Sequence, residues 1–169
     1  MKRILLIALT VAAPCIAAGQ AADPLVSKAI DTHILPRFET LAKTSDQLAS
    51  AAATECIPTS ENLRAAYGDA FDAWVAVSHL RFGPTEVNDR AFALAFWPDS
   101  RGVTPRTLAT LIADQDPVIA TQQAFSQVSI AGRGFYAMEF LLYDDALSTA
   151  GDAAYHCALV QAVATDIAV

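Results

Sequence analysis

Hydrophobic positions recur at intervals of three and four residues along most of the chain, as on one face of an α-helix. The clearest example ends before Gly83-Pro84 and consists of Leu63, Tyr67, Phe71, Trp74, Val75, Ser78 and Phe82. Another apolar stripe of the same kind runs through the last seventeen residues, 153–169. No long alternating run of β-branched residues, the pattern typical of a strand, occurs. The pattern predicts an all-α fold, an antiparallel bundle of five to seven helices with short connections.

Capping residues followed by proline mark the predicted helix starts. Three such pairs occur, at Asp23-Pro24, Thr104-Pro105 and Asp116-Pro117. Ser60 is a further predicted N-cap, and Pro36 is expected to kink or divide the first helix.

The segment 134–143 differs from the others because it is apolar on almost every side. Phe135, Met138 and Leu142 share one helical stripe, and Tyr136, Glu139 and Tyr143 share another. We therefore predict a buried helix, which Gly132 and Gly134 precede as a tight turn. Its one charge, Glu139, is expected to be paired, protonated or metal-bound, since an isolated buried charge is very costly.

Four separated motifs resemble the imelysin-like proteins. Gly134-Phe135-Tyr136-Ala137-Met138-Glu139 is similar to their Gly-x-His-x-x-Glu motif and precedes an aromatic-Leu-Leu-aromatic run. The other three, in the family's order along the chain, are Trp74 with Gly83-Pro84, the segment Phe96-Trp97-Pro98-Asp99, and Cys157-Ala158-Leu159. The resemblance implies a helical fold of two bundles, of which this chain would be the N-terminal half, truncated at the C-terminus.

The chain departs from the family motif at one position, where Tyr136 replaces the histidine. A neutral phenol is a poorer ligand than imidazole for most divalent metals. The resemblance nevertheless implies a site built around Tyr136 and Glu139 as metal ligands, with iron or another divalent metal as the cofactor. It also implies ligand-binding positions, namely Trp74, Arg81, Arg133, Gly134 and Tyr136.

The N-terminus has the features of a secretory signal peptide. Lys2 and Arg3 precede an apolar stretch, and small residues surround a cleavage region near Ala21-Ala22. We expect a signal peptide at 1–22, one imelysin-like domain at 23–169 and a periplasmic location. After cleavage, nine basic and eighteen acidic residues would remain. This acidity argues against nucleic acid and anionic membranes as partners.

Two cysteines, Cys56 and Cys157, lie beyond the predicted signal. Because exported proteins meet an oxidising compartment, we predict a disulfide between them, with two unrelated buried thiols as the alternative. Closing a loop of about 100 residues would stabilise the fold by about 4–5 kcal/mol.

The chain has three histidines, His33, His79 and His156. A three-histidine zinc site would require all of them to converge, which their sequence contexts do not suggest. We expect His33 on a solvated helix face, His79 near a helix C-terminus, and His156 in a surface-exposed first turn. The aromatic residues Phe92, Phe96 and Trp97 are expected to form a lid, with a ligand-stacking platform as the alternative.

Three functions remain open at this point. The first is an exported metal- or ligand-binding protein that works with envelope components of iron uptake. The second is a metallopeptidase of the imelysin type, although no His-Glu-x-x-His helix occurs. The third is a structural bundle in which buried Glu139 pairs with Arg133 or Arg81.

Overall fold

The computed structural model describes residues 23–169, so the predicted signal peptide at 1–22 lies outside the described residues. These residues form helices joined by turns, with no strand among them, which confirms the predicted all-α bundle. The α-helices are α1 (Pro24–Ala29), α2 (Leu35–Thr54), α3 (Glu61–Val77), α4 (Arg90–Leu94), α5 (Val103–Asp114), α6 (Gln122–Phe125), α7 (Gly134–Tyr143) and α8 (Ala153–Ala168). Short 3-10 helices lie between them at Gly83–Asp89, Pro117–Ala120, Ile130–Gly132 and Leu147–Thr149.

A π-helical turn, Ile30–Ile34, joins α1 to α2, so that the chain is helical from residue 24 to residue 54. It directly precedes the first turn of α2, which contains Pro36. Proline has no N–H to donate to the preceding turn, so the regular hydrogen-bond pattern is interrupted there, as the sequence predicts. Neither α1 nor the π-helical turn contains a buried residue.

The predicted caps are found at three of the helix starts. Asp23 accepts the N–H of Leu25, Ser60 accepts the N–H of Leu63, and Asp116 accepts the N–H of Val118. The start of α5 differs from the prediction, because the helix begins at Val103, its N-cap residue is Gly102, and its first N–H groups donate to Asp99. The two Asp99 carboxylate oxygens accept the N–H groups of Val103 and Thr104, each at 2.8 Å.

The bundle core forms where α2, α3, α7 and α8 meet. Fully buried side chains include Leu48 of α2, Leu63 of α3, Phe135 of α7 and Leu159 of α8. Such burial supplies the main driving force for folding.

A disulfide bond joins Cys56, which follows α2, to Cys157 in the first turns of α8, with the Cα atoms 5.1 Å apart. This confirms the predicted pairing, and the bond links the end of α2 to the start of α8. Among residues 23–169, no helix combines the length and the hydrophobicity that crossing a bilayer requires.

Candidate functional site

Helix α7 begins in close contact with the end of α4. Gly134 has φ +72°, a conformation that other residues adopt at a cost. A Cβ atom at this position would overlap the backbone carbonyl groups of Ala93 and Leu94. Gly134 therefore has a packing role and fixes where α7 starts. The family resemblance marks the same residue as a ligand-binding position.

One side of α7 packs on α3. The Phe135 ring stacks on Trp74, with ring centroids 6.3 Å apart, and the Tyr67 hydroxyl donates to the Phe135 carbonyl oxygen at 3.3 Å. Trp74 is 6% exposed and belongs to the core. The structure therefore places Trp74 behind α7, where it supports the helix without facing an open cavity.

An adjoining side of α7 faces an open cavity of about 590 Å³, which we call the aromatic pocket. Tyr136, Glu139 and Tyr143 line it from α7, as expected of residues at steps of three and four. The facing wall comes from the connection between α4 and α5. The lining residues that matter for its chemistry are Trp97, Asp99, Tyr136, Glu139, Tyr143 and Asp144.

Aromatic rings form much of the pocket wall. The Trp97 side chain is 67% exposed, and its ring lies 5.8 Å from that of Tyr136, centroid to centroid. Phe71 of α3 contacts Tyr136 edge to face at 6.0 Å, so the tyrosine is held between two neighbours. Trp97 is a pocket residue that the site prediction omitted, although the sequence did mark its cluster as a possible stacking platform.

Glu139 is exposed in this pocket, so the prediction that it would be buried was wrong. No hydrogen bond or ion pair to Glu139 is found within residues 23–169 of the structure. Its negative charge nevertheless affects a neighbour, because the pKa of Tyr67 is raised above its ordinary value, chiefly by burial and further by Glu139. The carboxylate is therefore available to a ligand that enters from solvent.

The two arginines expected near Glu139 have other partners. Arg81 donates from Nε to Glu86 Oε1 at 2.6 Å, and both side chains are more than 40% exposed. Arg133 binds Asp166 through two hydrogen bonds, Nε to Oδ2 at 3.1 Å and Nη2 to Oδ1 at 2.6 Å. The hypothesis of a buried pair between Glu139 and either arginine was therefore wrong.

Asp166 is the buried carboxylate of this part of the fold, with 1% of its surface exposed. Besides Arg133, it is approached by Arg90, with Nη1 at 3.6 Å from Oδ2. Arg90 also donates to the carbonyl oxygens of Asp166 and Ile167 near the end of α8. We call Asp166, Arg90 and Arg133 the charge cluster. An acidic residue inside the apolar pattern of 153–169 was the signal that could have predicted it.

The three histidines occupy two separate places. His156 is buried, and its Nε2 lies 3.1 Å from the carbonyl oxygen of Leu147, so the expectation of a surface position was wrong. Burial lowers the pKa of His156, because the charged form would lose its hydration. His33 and His79 lie together elsewhere, on the outside of the bundle.

Within residues 23–169, no group of three or more histidine, cysteine, aspartate or glutamate side chains is placed to hold a metal ion. A metal in the aromatic pocket would therefore need donors besides these four residue types, and the oxygens of Tyr136 and Tyr143 line the same cavity.

Comparison with known proteins shows the family. The family described as Imelysin matches residues 34–169. Among solved structures, an imelysin-like protein from Psychrobacter arcticum 273-4 superposes with a TM-score of 0.71 at 21% sequence identity. The alignment covers 85% of this chain and 45% of that protein. A comparison with curated proteins found no match.

The chain belongs to the imelysin family. The match includes the motif helix α7, the Trp97 segment and the cysteine-containing start of α8. Two of the sequence segments that resemble the family, around Trp97 and around Glu139, line the same pocket although they are about forty residues apart.

Proposed function

We propose that this chain is an exported binding protein associated with iron uptake, and that its ligand site is the aromatic pocket. The observation that carries the proposal is the position of Tyr136 and Glu139. They lie side by side on α7, Glu139 is exposed, and both face the same open cavity.

The donor atoms favour ferric iron over a softer divalent ion. Phenol and carboxylate oxygens are hard donors and become anionic on deprotonation, which suits a hard trivalent cation. Asp144 and Tyr143 line the same pocket and add oxygen atoms to it. Replacement of the family histidine by Tyr136 is therefore compatible with iron but unfavourable for zinc.

The size of the pocket indicates that the ion would enter with ligands of its own. A cavity of about 590 Å³ is in the range of small-molecule sites and far exceeds a bare ion. The exposed ring of Trp97 offers a flat apolar surface to the organic part of such a complex. We therefore propose a ferric chelate as the ligand.

Export is supported by two observations. The first 22 residues have the composition of a signal peptide, and the disulfide bond between Cys56 and Cys157 is typical of an oxidising compartment. The role in iron uptake, with envelope components as partners, rests on the family membership. The matched relative is about twice as long, so the activity of such a longer protein could involve residues that this chain does not contain.

The proposal is tested by titrating the protein with ferric citrate, followed by calorimetry and by the visible absorption of an iron–phenolate complex. Tyr136→Phe should strongly reduce the absorption, leaving Tyr143 as the one phenol that lines the pocket, and Glu139→Gln should weaken binding by tenfold or more. Glu39→Gln, at another exposed position on a helix, is the matched control and should bind as the unaltered protein does. Binding that is equal in all variants, or no binding in any, would contradict the proposal.

A further inference from the structure

His33 and His79 meet on the outside of the bundle, away from the aromatic pocket. His33 lies in the π-helical turn Ile30–Ile34, and His79 follows the end of α3. Their Nε2 atoms are 3.2 Å apart, although the residues are 46 positions apart in sequence. The turn between α2 and α3 and the packing of these two helices produce this juxtaposition.

The separation of the two nitrogens matches that of two imidazole ligands on one metal ion. With Zn–N bonds of about 2.0–2.1 Å and tetrahedral angles, two ligand nitrogens lie about 3.3–3.4 Å apart. The ring centroids are 5.4 Å apart. To bind one ion, both rings would have to rotate so that the lone pairs of the two Nε2 atoms point to the same position.

Arg37 opposes metal binding at this position. Its Nε donates to Nδ1 of His33 at 3.1 Å, so the proton of the neutral His33 ring is on Nε2, the atom facing His79. A metal at Nε2 requires that proton to move to Nδ1, and the Arg37 side chain must then turn away. Because the Arg37 side chain is exposed, it is free to turn away into solvent. The interaction of Arg37 with His33 therefore lowers the metal affinity of the site.

We propose that His33 and His79 form a binding site for a divalent ion that prefers imidazole, such as Zn²⁺ or Cu²⁺, with water as the remaining ligands. The bound ion would fix the N-terminal helical segment 24–34 to the end of α3. That segment contains no buried residue, so few other contacts hold it in place. This site uses none of the pocket residues and is independent of the proposed function.

The experiment is a Zn²⁺ titration by calorimetry on the chain from residue 23 onward, without the predicted signal peptide and without a histidine tag. His33→Gln and His79→Gln should each weaken binding by tenfold or more. Arg37→Glu should strengthen it by about tenfold, because a carboxylate would accept a hydrogen bond from the Nδ1–H of His33. Hydrogen exchange in residues 24–34 should become slower when Zn²⁺ is bound.

Glu139→Gln is the control that separates this site from the aromatic pocket, and it should leave Zn²⁺ affinity unchanged. With Cu²⁺, the electron paramagnetic resonance spectrum should show coupling to two imidazole nitrogens, and to one in either histidine variant. Absence of Zn²⁺ binding would overturn the proposal, as would equal binding in the two histidine variants and the parent. Arg37→Glu binding no more tightly than the parent would also overturn it.

Discussion

The charge cluster and the aromatic pocket place a carboxylate in opposite environments around the same helix, α7. Asp166 in the cluster is buried, contacts two arginines and has its oxygens occupied by hydrogen bonds from Arg133. Glu139 in the pocket is exposed and has no bonded partner among residues 23–169. A saturated buried carboxylate holds elements together, whereas an unpartnered carboxylate in an open cavity can bind something from solution.

The contrast implies that the two carboxylates make very different contributions to stability. Asp166→Ala would leave the guanidinium groups of Arg90 and Arg133 facing each other with little solvent. The expected loss in the free energy of unfolding is about 3–5 kcal/mol, to be measured by urea denaturation. A loss below about 1 kcal/mol would mean that the cluster is as dispensable as a surface ion pair.

Gly134 lies between the two regions, and its replacement should disturb both. Gly134→Ala forces a side chain into a left-handed conformation and against the carbonyl groups of Ala93 and Leu94. We expect a loss of about 2–4 kcal/mol from backbone strain and overpacking together. Gly68→Ala is the matched control, because a Cβ at Gly68 meets nothing within 4 Å. It should be neutral or slightly stabilising in the same thermal or urea unfolding measurement.

Tyr136→His restores the histidine of the family motif and should change the metal preference of the pocket. Its cost in stability should be about 0.5–1.5 kcal/mol, since the aromatic contacts with Phe71 and Trp97 are reduced. Zn²⁺ affinity measured by calorimetry should rise by tenfold or more, because imidazole replaces a neutral phenol beside Glu139. The Tyr136→His variant and its parent should both contain His33→Gln, so that the proposed site at His33 and His79 does not contribute to the measured Zn²⁺ affinity. An unchanged Zn²⁺ affinity would show that side chains at positions 136 and 139 cannot share one ion.

Glu139→Gln should have the smallest effect on stability. The side chain is exposed, so the free energy of unfolding should change by less than about 0.5 kcal/mol. The same change at Asp166, Asp166→Asn, keeps the volume but removes the buried charge and should cost considerably more. If urea unfolding shows that the two substitutions lower the free energy of unfolding equally, then the carboxylates of the charge cluster and of the aromatic pocket do not differ in their contribution to stability.

Local sequence features predicted much of the secondary structure. Asp23 and Ser60 cap the helices they were expected to cap, and α7 ends at Tyr143 as predicted. These features succeed because capping and helical periodicity depend on neighbours a few residues away. The pairing of Cys56 with Cys157 was also predictable, since only these two cysteines lie outside the predicted signal peptide and two cysteines allow one intramolecular disulfide.

The site was less predictable because α7 is apolar on nearly all sides. Periodicity placed Tyr136, Glu139 and Tyr143 on one face, and they do line one pocket. It could not show whether a neighbouring helix covers that face, so Glu139 was wrongly expected to be buried. The exposed Trp97 on the facing wall lies in a connection without helical periodicity.

The sequence by itself determined that this protein is a helical bundle of the imelysin type, where several of its helices begin, and which residues share a face of α7. Only the tertiary structure decided that Arg133 binds Asp166, that Glu139 faces an open pocket, and that His33 meets His79. The physical reason is that helix formation depends on hydrogen bonds between residues close in sequence. The partner of a side chain instead depends on how distant helices pack, and that packing is set by the whole core.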